Sequence, residues 1–107
     1  MIRLTSKVTR PNTKMTFYPR PSNLTPLVEQ AKQDGKLITE DFLISRNKLT
    51  FTYVSLWASK DALDEFNQQE AIKDFHKRRK WFEQEFEQIR TVTEDVLENT
   101  DLYLRVE

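Results

Sequence analysis

The chain has 107 residues, 37% hydrophobic and 32% charged, which is enough for one domain with one core and too little for two. Its 17 basic and 17 acidic residues cancel, so it lacks the excess positive charge from which dedicated nucleic-acid binders draw their affinity. It has no cysteine and one glycine, which excludes disulfides, thiolate metal sites, cysteine nucleophiles and every glycine-rich phosphate loop.

The charge is unevenly spread, with a net +5 over residues 1–28 and −6 over residues 81–107. Compensation between the two ends of the chain is the simplest use of that asymmetry. No apolar run approaches the ~20 residues of a membrane span, and Met1–Thr5 alternates where a signal peptide needs a continuous apolar block. The expectation is a single domain over 1–107, cytoplasmic, with no membrane or nucleic-acid partner.

Ile2, Leu4 and Val8 alternate with Arg3, Thr5, Lys7 and Thr9, the period of a half-buried first strand. Pro11 and Asn12 end it, and Pro19 and Pro21 keep residues 10–23 a loop. A loop this long in so small a domain is often functional, which singles out Phe17 and Tyr18. Thr25-Pro26 signals a helix start, with Thr25 as the cap, and Gly35 a left-handed stop, giving a helix over 26–34.

Two strands, 36–46 and 49–57, follow, joined by Asn47-Lys48 as a two-residue hairpin turn. In the second strand Leu49, Phe51, Tyr53, Ser55 and Trp57 share one face, and Thr50, Thr52, Val54 and Leu56 share the other. Apolar groups on both faces call for cover on both sides, by helices on one and by the sheet of a partner subunit on the other. Ser59 caps the next helix, which Asn67-Gln68-Gln69 interrupts before the stripe Ile72, Phe75, Arg79, Phe82, Phe86 and Ile89 continues it. A strand over 90–97, a turn at 99–101 and a short strand or tail over 102–106 complete the chain. The order strand, helix, strand, strand, helix, strand is that of a ferredoxin-like α+β domain with an antiparallel sheet.

The run VSLWASKDALDEFNQQEAIKDFHKRR resembles the third-strand and second-helix region of the antibiotic-biosynthesis-monooxygenase superfamily. The loop RPNTKMTFYP is more weakly similar to small proteins of tailed phages. The superfamily resemblance implies a dimeric α+β barrel, in which two ferredoxin-like sheets pack face to face and a pocket lies between each sheet and its helices. It also implies a strand-end tryptophan at Trp57 and a helical histidine at His76. Haem-degrading members add a first-strand asparagine and a helical tryptophan. Here those positions are Ser6 or Lys7 and Phe66, so two of three elements differ, and His76 alone would be left to ligate haem.

From the residues themselves, His76 is the only side chain whose ordinary pKa suits proton transfer near neutrality. Lys77-Arg78-Arg79-Lys80 beside it reads as a solvated helix face, with Asp74 and Glu83 at pairing distance. Adjacent carboxylates such as Glu40-Asp41 point to opposite sides of a strand, so no catalytic dyad or metal cluster is expected.

The combined expectation is a homodimer that binds a small apolar or aromatic ligand through Phe17, Tyr18, Tyr53, Trp57 and Phe66. His76 would be the catalytic proton acceptor of a monooxygenase that needs no cofactor and no metal. Two alternatives stand beside it, a non-enzymatic interaction or phage accessory protein, and haem binding through His76.

Overall fold

A computed structural model describes residues 1–97; the turn and the last strand expected over 99–106 lie outside the described residues. The elements run β1 (Ile2–Thr9), a 3-10 turn (Ser22–Leu24), α1 (Thr25–Gln33), β2 (Leu37–Ile44), β3 (Thr50–Trp57), α2 (Lys60–Asn67), α3 (Glu70–Glu85) and β4 (Ile89–Val96). The strands form one antiparallel sheet in the order β2-β3-β1-β4. With β1 and β3 central, this is the ferredoxin-like arrangement expected from the element order.

Alternation along the strands decides which side chains face the helices. Ile2, Leu4, Ser6 and Val8 of β1 stand opposite Trp57, Ser55, Tyr53 and Phe51 of β3. The buried cluster Ile2, Val28, Ala31, Leu37, Trp57 and Leu63, with Leu4 and Phe66 against it, joins that sheet face to α1 and α2. The other face carries Arg3, Thr5 and Lys7 of β1 and Thr52, Val54 and Leu56 of β3, and among the described residues no helix covers it. Among the described residues no helix is long and apolar enough to cross a membrane.

Local signals explain the element ends. Gly35 adopts φ +72°, and Lys36 N–H closes the end of α1 on Ala31 O at 2.9 Å. Ser59 Oγ accepts from Ala62 N–H at 3.1 Å and so caps α2. Gln69 is extended at φ −64°, ψ 136°, so the glutamine pair fully separates α2 from α3.

Four expectations need correction. Thr25 does not cap α1; it is the first helical residue after Leu24, with Pro26 in the first turn where a missing N–H costs nothing. The β2–β3 connection is longer than two residues, and Lys48, not Asn47, takes the positive φ (+62°), while Asn47 Oδ1 accepts from Ser45 Oγ and Leu49 N–H. The second long helix stops at Glu85: Glu87 turns left-handed at φ 55°, Gln88 N–H bonds back to Glu83 O, and Ile89 opens β4 instead of continuing the apolar stripe. The basic run is not one solvated face: Arg79 is buried while Lys77, Arg78 and Lys80 are exposed.

Candidate functional site

A cavity of about 550 Å³ lies between the sheet and the helices. Phe51, Tyr53, Ser55 and Trp57 of β3 form its floor, α2 contributes Leu63 and Phe66, α3 contributes Phe75, His76 and Arg79, and the loop after β1 contributes Phe17, Tyr18 and Arg20. All six side chains expected at a site, Phe17, Tyr18, Tyr53, Trp57, Phe66 and His76, line this one space. The choice between pocket and sheet-to-sheet seam, open in the sequence, is decided by register: the odd-numbered residues of β3 face the helices and the even-numbered ones the open side.

The long loop is a wall of the cavity, and polar anchors hold it there. Arg10 donates to Lys48 O (2.6 and 2.9 Å) and lies over the Phe17 ring at 4.4 Å, while Gln88 Nε2 donates to Thr16 O at 2.8 Å. Phe17 packs on Phe51 (centroids 5.6 Å apart), and Tyr18 packs on Phe75 and Phe82 (5.7 and 5.3 Å). Trp57 meets Phe66 at 5.0 Å, and its Nε1–H donates to Ser55 Oγ at 2.9 Å, satisfying the indole of a fully enclosed ring.

One polar end of the cavity is built around Glu40, which sequence reasoning passed over as a strand carboxylate. A β-bulge puts it there. Leu37 pairs with Trp57 but Thr39 already pairs with Leu56, so the extra residue brings both Leu37 and Glu40 to the helix side of the sheet. The Glu40 side chain is 5% exposed and accepts from Arg20 Nη2 at 2.7 Å, from Tyr53 Oη at 2.5 Å and from Lys32 Nζ at 3.1 Å. Burial pushes its carboxyl up, but the hydrogen bonds from Arg20, Tyr53 and Lys32 outweigh that and hold it below the usual range, ionised. Burial and the neighbouring carboxylate push the Tyr53 phenol well above its ordinary value, so Tyr53 is a donor at neutral pH and not a base.

The other polar end holds a buried ionic cluster. Arg90 clamps Glu83 with three contacts of 2.7 to 3.0 Å and also donates to Ser6 Oγ, and Arg79 Nη1 meets Glu83 Oε1 at 2.7 Å. Side-chain exposures are 6% for Glu83, 11% for Arg79 and 20% for Arg90. His76 lies against this cluster, its Nδ1 3.4 Å from Arg79 Nη2, at the long limit of a hydrogen bond. Burial first, then the positive charges of Arg79, Lys80 and Arg90, push its pKa down to about 4. His76 is therefore a neutral imidazole at pH 7, free to receive a proton but a weak base.

Arg79, Arg90 and Glu83 were not among the expected site residues. Their signal was present: an arginine at a position of the apolar stripe on α3, with a glutamate four residues on, is a charge placed to be buried with its partner. The third member, Arg90, comes from another strand and has no local signature.

The result is a ferredoxin-like α+β domain with an aromatic-walled cavity, polar at two ends, between its helices and one face of its sheet. Neither a protein-family profile nor a curated protein matches the sequence. Solved structures match its fold. A conserved protein from Methanosarcina mazei Go1 superposes with a TM-score of 0.62 at 17% identity, covering 91% of this chain and 92% of its own. An antibiotic biosynthesis monooxygenase gives 0.55 at 17% identity, over 92% of this chain and all of its own. SnoaB, a cofactor-independent oxygenase from Streptomyces nogalater, gives 0.56 at 8% identity, over 92% of this chain and 93% of its own. The chain thus has the antibiotic-biosynthesis-monooxygenase-like fold; at these identities the likeness speaks for the fold.

Proposed function

We propose that the protein binds a small aromatic molecule in the cavity and oxidises it with dioxygen, with no metal or flavin required, as a homodimer paired through the open sheet face. The observation that carries the reading is the cavity itself, which gathers Phe17, Tyr18, Tyr53, Trp57, Phe66 and His76 around a space of about 550 Å³. Flat aromatic walls suit a flat aromatic ligand, and the few polar groups at the ends suit its orientation. The oxygenases among the structural neighbours point the same way.

A phenol that has lost its proton is electron-rich enough to react with dioxygen directly, so the protein has to orient the ring, manage one proton and keep water out. A carbon–oxygen bond forms at the ring carbon opposite the phenolic oxygen, and the resulting hydroperoxide loses water. One phenol and one dioxygen thus give one quinone and one water. His76 is the group assigned the proton, since Tyr53 stays protonated and Glu40 is held by three donors. Haem ligation through His76 is less well supported, because Arg79, Lys80 and Arg90 surround the ring with positive charge that opposes a cationic metal centre.

Pairing through the open face is supported by Val54 and Leu56, half-buried on an uncovered sheet, and by Leu43, 57% exposed beside them. Sedimentation at micromolar concentration is expected to give twice the 12.8 kDa chain mass; a species of that single mass would refute the dimer.

Ligand binding is tested with 1-naphthol in a Trp81→Phe protein, where Trp57 is the only indole. Saturable quenching of Trp57 is expected, with oxygen uptake and naphthoquinone formation that fall about 100-fold in His76→Gln, the lower end of what a general base contributes. No quenching would sink the binding reading, and quenching without oxygen uptake would sink the oxygenase reading.

A further inference from the structure

The buried cluster at the His76 end is one negative charge short. Arg79 and Arg90 are two permanent cations, and among the described residues Glu83 is the only carboxylate in contact with either. At the opposite end of the cavity Arg20 and Lys32 share Glu40, but Lys32 also meets Glu29 at 3.8 Å, and the two cationic side chains are 33% and 39% exposed, so water screens them. At 11% and 20% exposure, the guanidiniums of Arg79 and Arg90 have little access to that remedy. A buried charge without a counterion is costly, and folded chains keep one mainly where something else supplies the missing charge.

The unbalanced groups are turned toward the cavity. Arg79 and Arg90 line it together with His76 and Ser6, while Glu83 does not. The carboxylate is therefore behind the two cations, and the uncompensated field points into the space where the ligand would sit. The pKa of His76 is lowered first by burial and then by the positive charges of Arg79, Lys80 and Arg90, the second part being the response expected in such a field.

We propose that His76, Arg79 and Arg90 form an anion subsite, and that the ligand is an aromatic molecule carrying an ionised oxygen, which binds with that oxygen at this end and its rings against Trp57 and Phe66. This rests on the reading of the cavity as a ligand site. It also removes a difficulty in that reading: a base as weak as His76 can suffice when the site stabilises the ligand's own anion, since two fixed cations in a water-poor space favour loss of the ligand's proton.

Two fluorescent probes with the same ring skeleton, 8-anilinonaphthalene-1-sulfonate and the neutral N-phenyl-1-naphthylamine, test the subsite. Their affinities are compared by titration, and His76, the only histidine, is followed by NMR together with the Trp57 indole resonance. The sulfonate is expected to bind at least about 10-fold more tightly although it is the more water-soluble probe. It should also raise the His76 titration midpoint from about 4 toward the ordinary histidine value, whereas the neutral probe leaves it in place. Arg79→Gln, which leaves Glu83 balanced by Arg90, should reduce the ratio of the two affinities to near unity.

Equal affinities for the two probes, or a preference that survives in Arg79→Gln, would overturn the anion subsite and leave the aromatic cavity standing. If neither probe moves the His76 and Trp57 resonances, both readings fall. Should Arg79→Gln not fold, the His76 midpoint in the unmodified protein decides, and a midpoint unmoved by saturating sulfonate overturns the subsite.

Discussion

Replacing Glu83 by alanine removes the carboxylate that stands between the buried guanidinium of Arg79 and the half-buried one of Arg90. The side chain is 6% exposed and accepts from Arg79 at 2.7 Å and from Arg90 at 2.7 and 3.0 Å, so water cannot take over its role. Breaking a buried ion pair by deleting one partner costs about 3–5 kcal/mol, and here two cations are orphaned at once, which places the cost toward the upper end. Against the ~5–15 kcal/mol typical of a whole domain, that is a third or more of the stability. Urea unfolding at pH 7, followed by tryptophan fluorescence and far-UV circular dichroism, should show the midpoint falling by about 2 M for a slope near 2 kcal/mol per M. Glu85→Ala, exposed on the same helix, should stay within about 0.5 kcal/mol. Replacing Arg79, Glu83 and Arg90 together by apolar residues of similar size should restore much of the loss, because no charge is then left buried. A cost below about 1 kcal/mol for Glu83→Ala would refute the account of this cluster as a mutually dependent buried charge group.

Two further outcomes follow from local physics. His76 titrates near 4 in the fold but near 6.5 when unfolded, so between those values the unfolded chain binds the extra proton and stability must fall as pH falls. A shift of that size corresponds to about 3 kcal/mol, which solvent screening of a half-buried ring reduces to roughly 1–2. Urea unfolding at pH 7 and pH 4.5 should show that much less acid sensitivity in His76→Gln, and an unchanged pH dependence would contradict the assignment. Lys48→Gly should stabilise the β2–β3 turn, since a lysine at φ +62° carries a left-handed penalty of about 1–2 kcal/mol that exceeds the ~0.5–1 kcal/mol entropic cost of glycine. A melting temperature raised by about 3–5 °C is expected, and a lower one would show that the lysine side chain contributes something that its backbone conformation does not reveal.

What the residues alone determined follows from short-range rules. The alternation of β1 and β3, the Gly35 stop, the Ser59 cap and the break at Gln68-Gln69 are each set by a few neighbouring side chains, and together they dictate the element order and the α+β class. Phe17, Tyr18, Tyr53, Trp57, Phe66 and His76 could be singled out because aromatics in a long loop, on one strand face and on an amphipathic helix stand out against a polar background. Tertiary structure decided the rest. Register chose which face of β3 meets the helices, and a single bulge between Leu37 and Thr39 carried Glu40 into the cavity instead of the solvent. Pairing of β1 with β4 brought Arg90 beside Ser6, where it could reach the carboxylate of Glu83 on α3. Arg90 joins the Arg79–Glu83 pair only when strand and helix are stacked, because nothing in its local sequence distinguishes it from a solvated arginine. That stacking turned a helical histidine flanked by a basic run into a neutral imidazole held beside two cations that share one carboxylate.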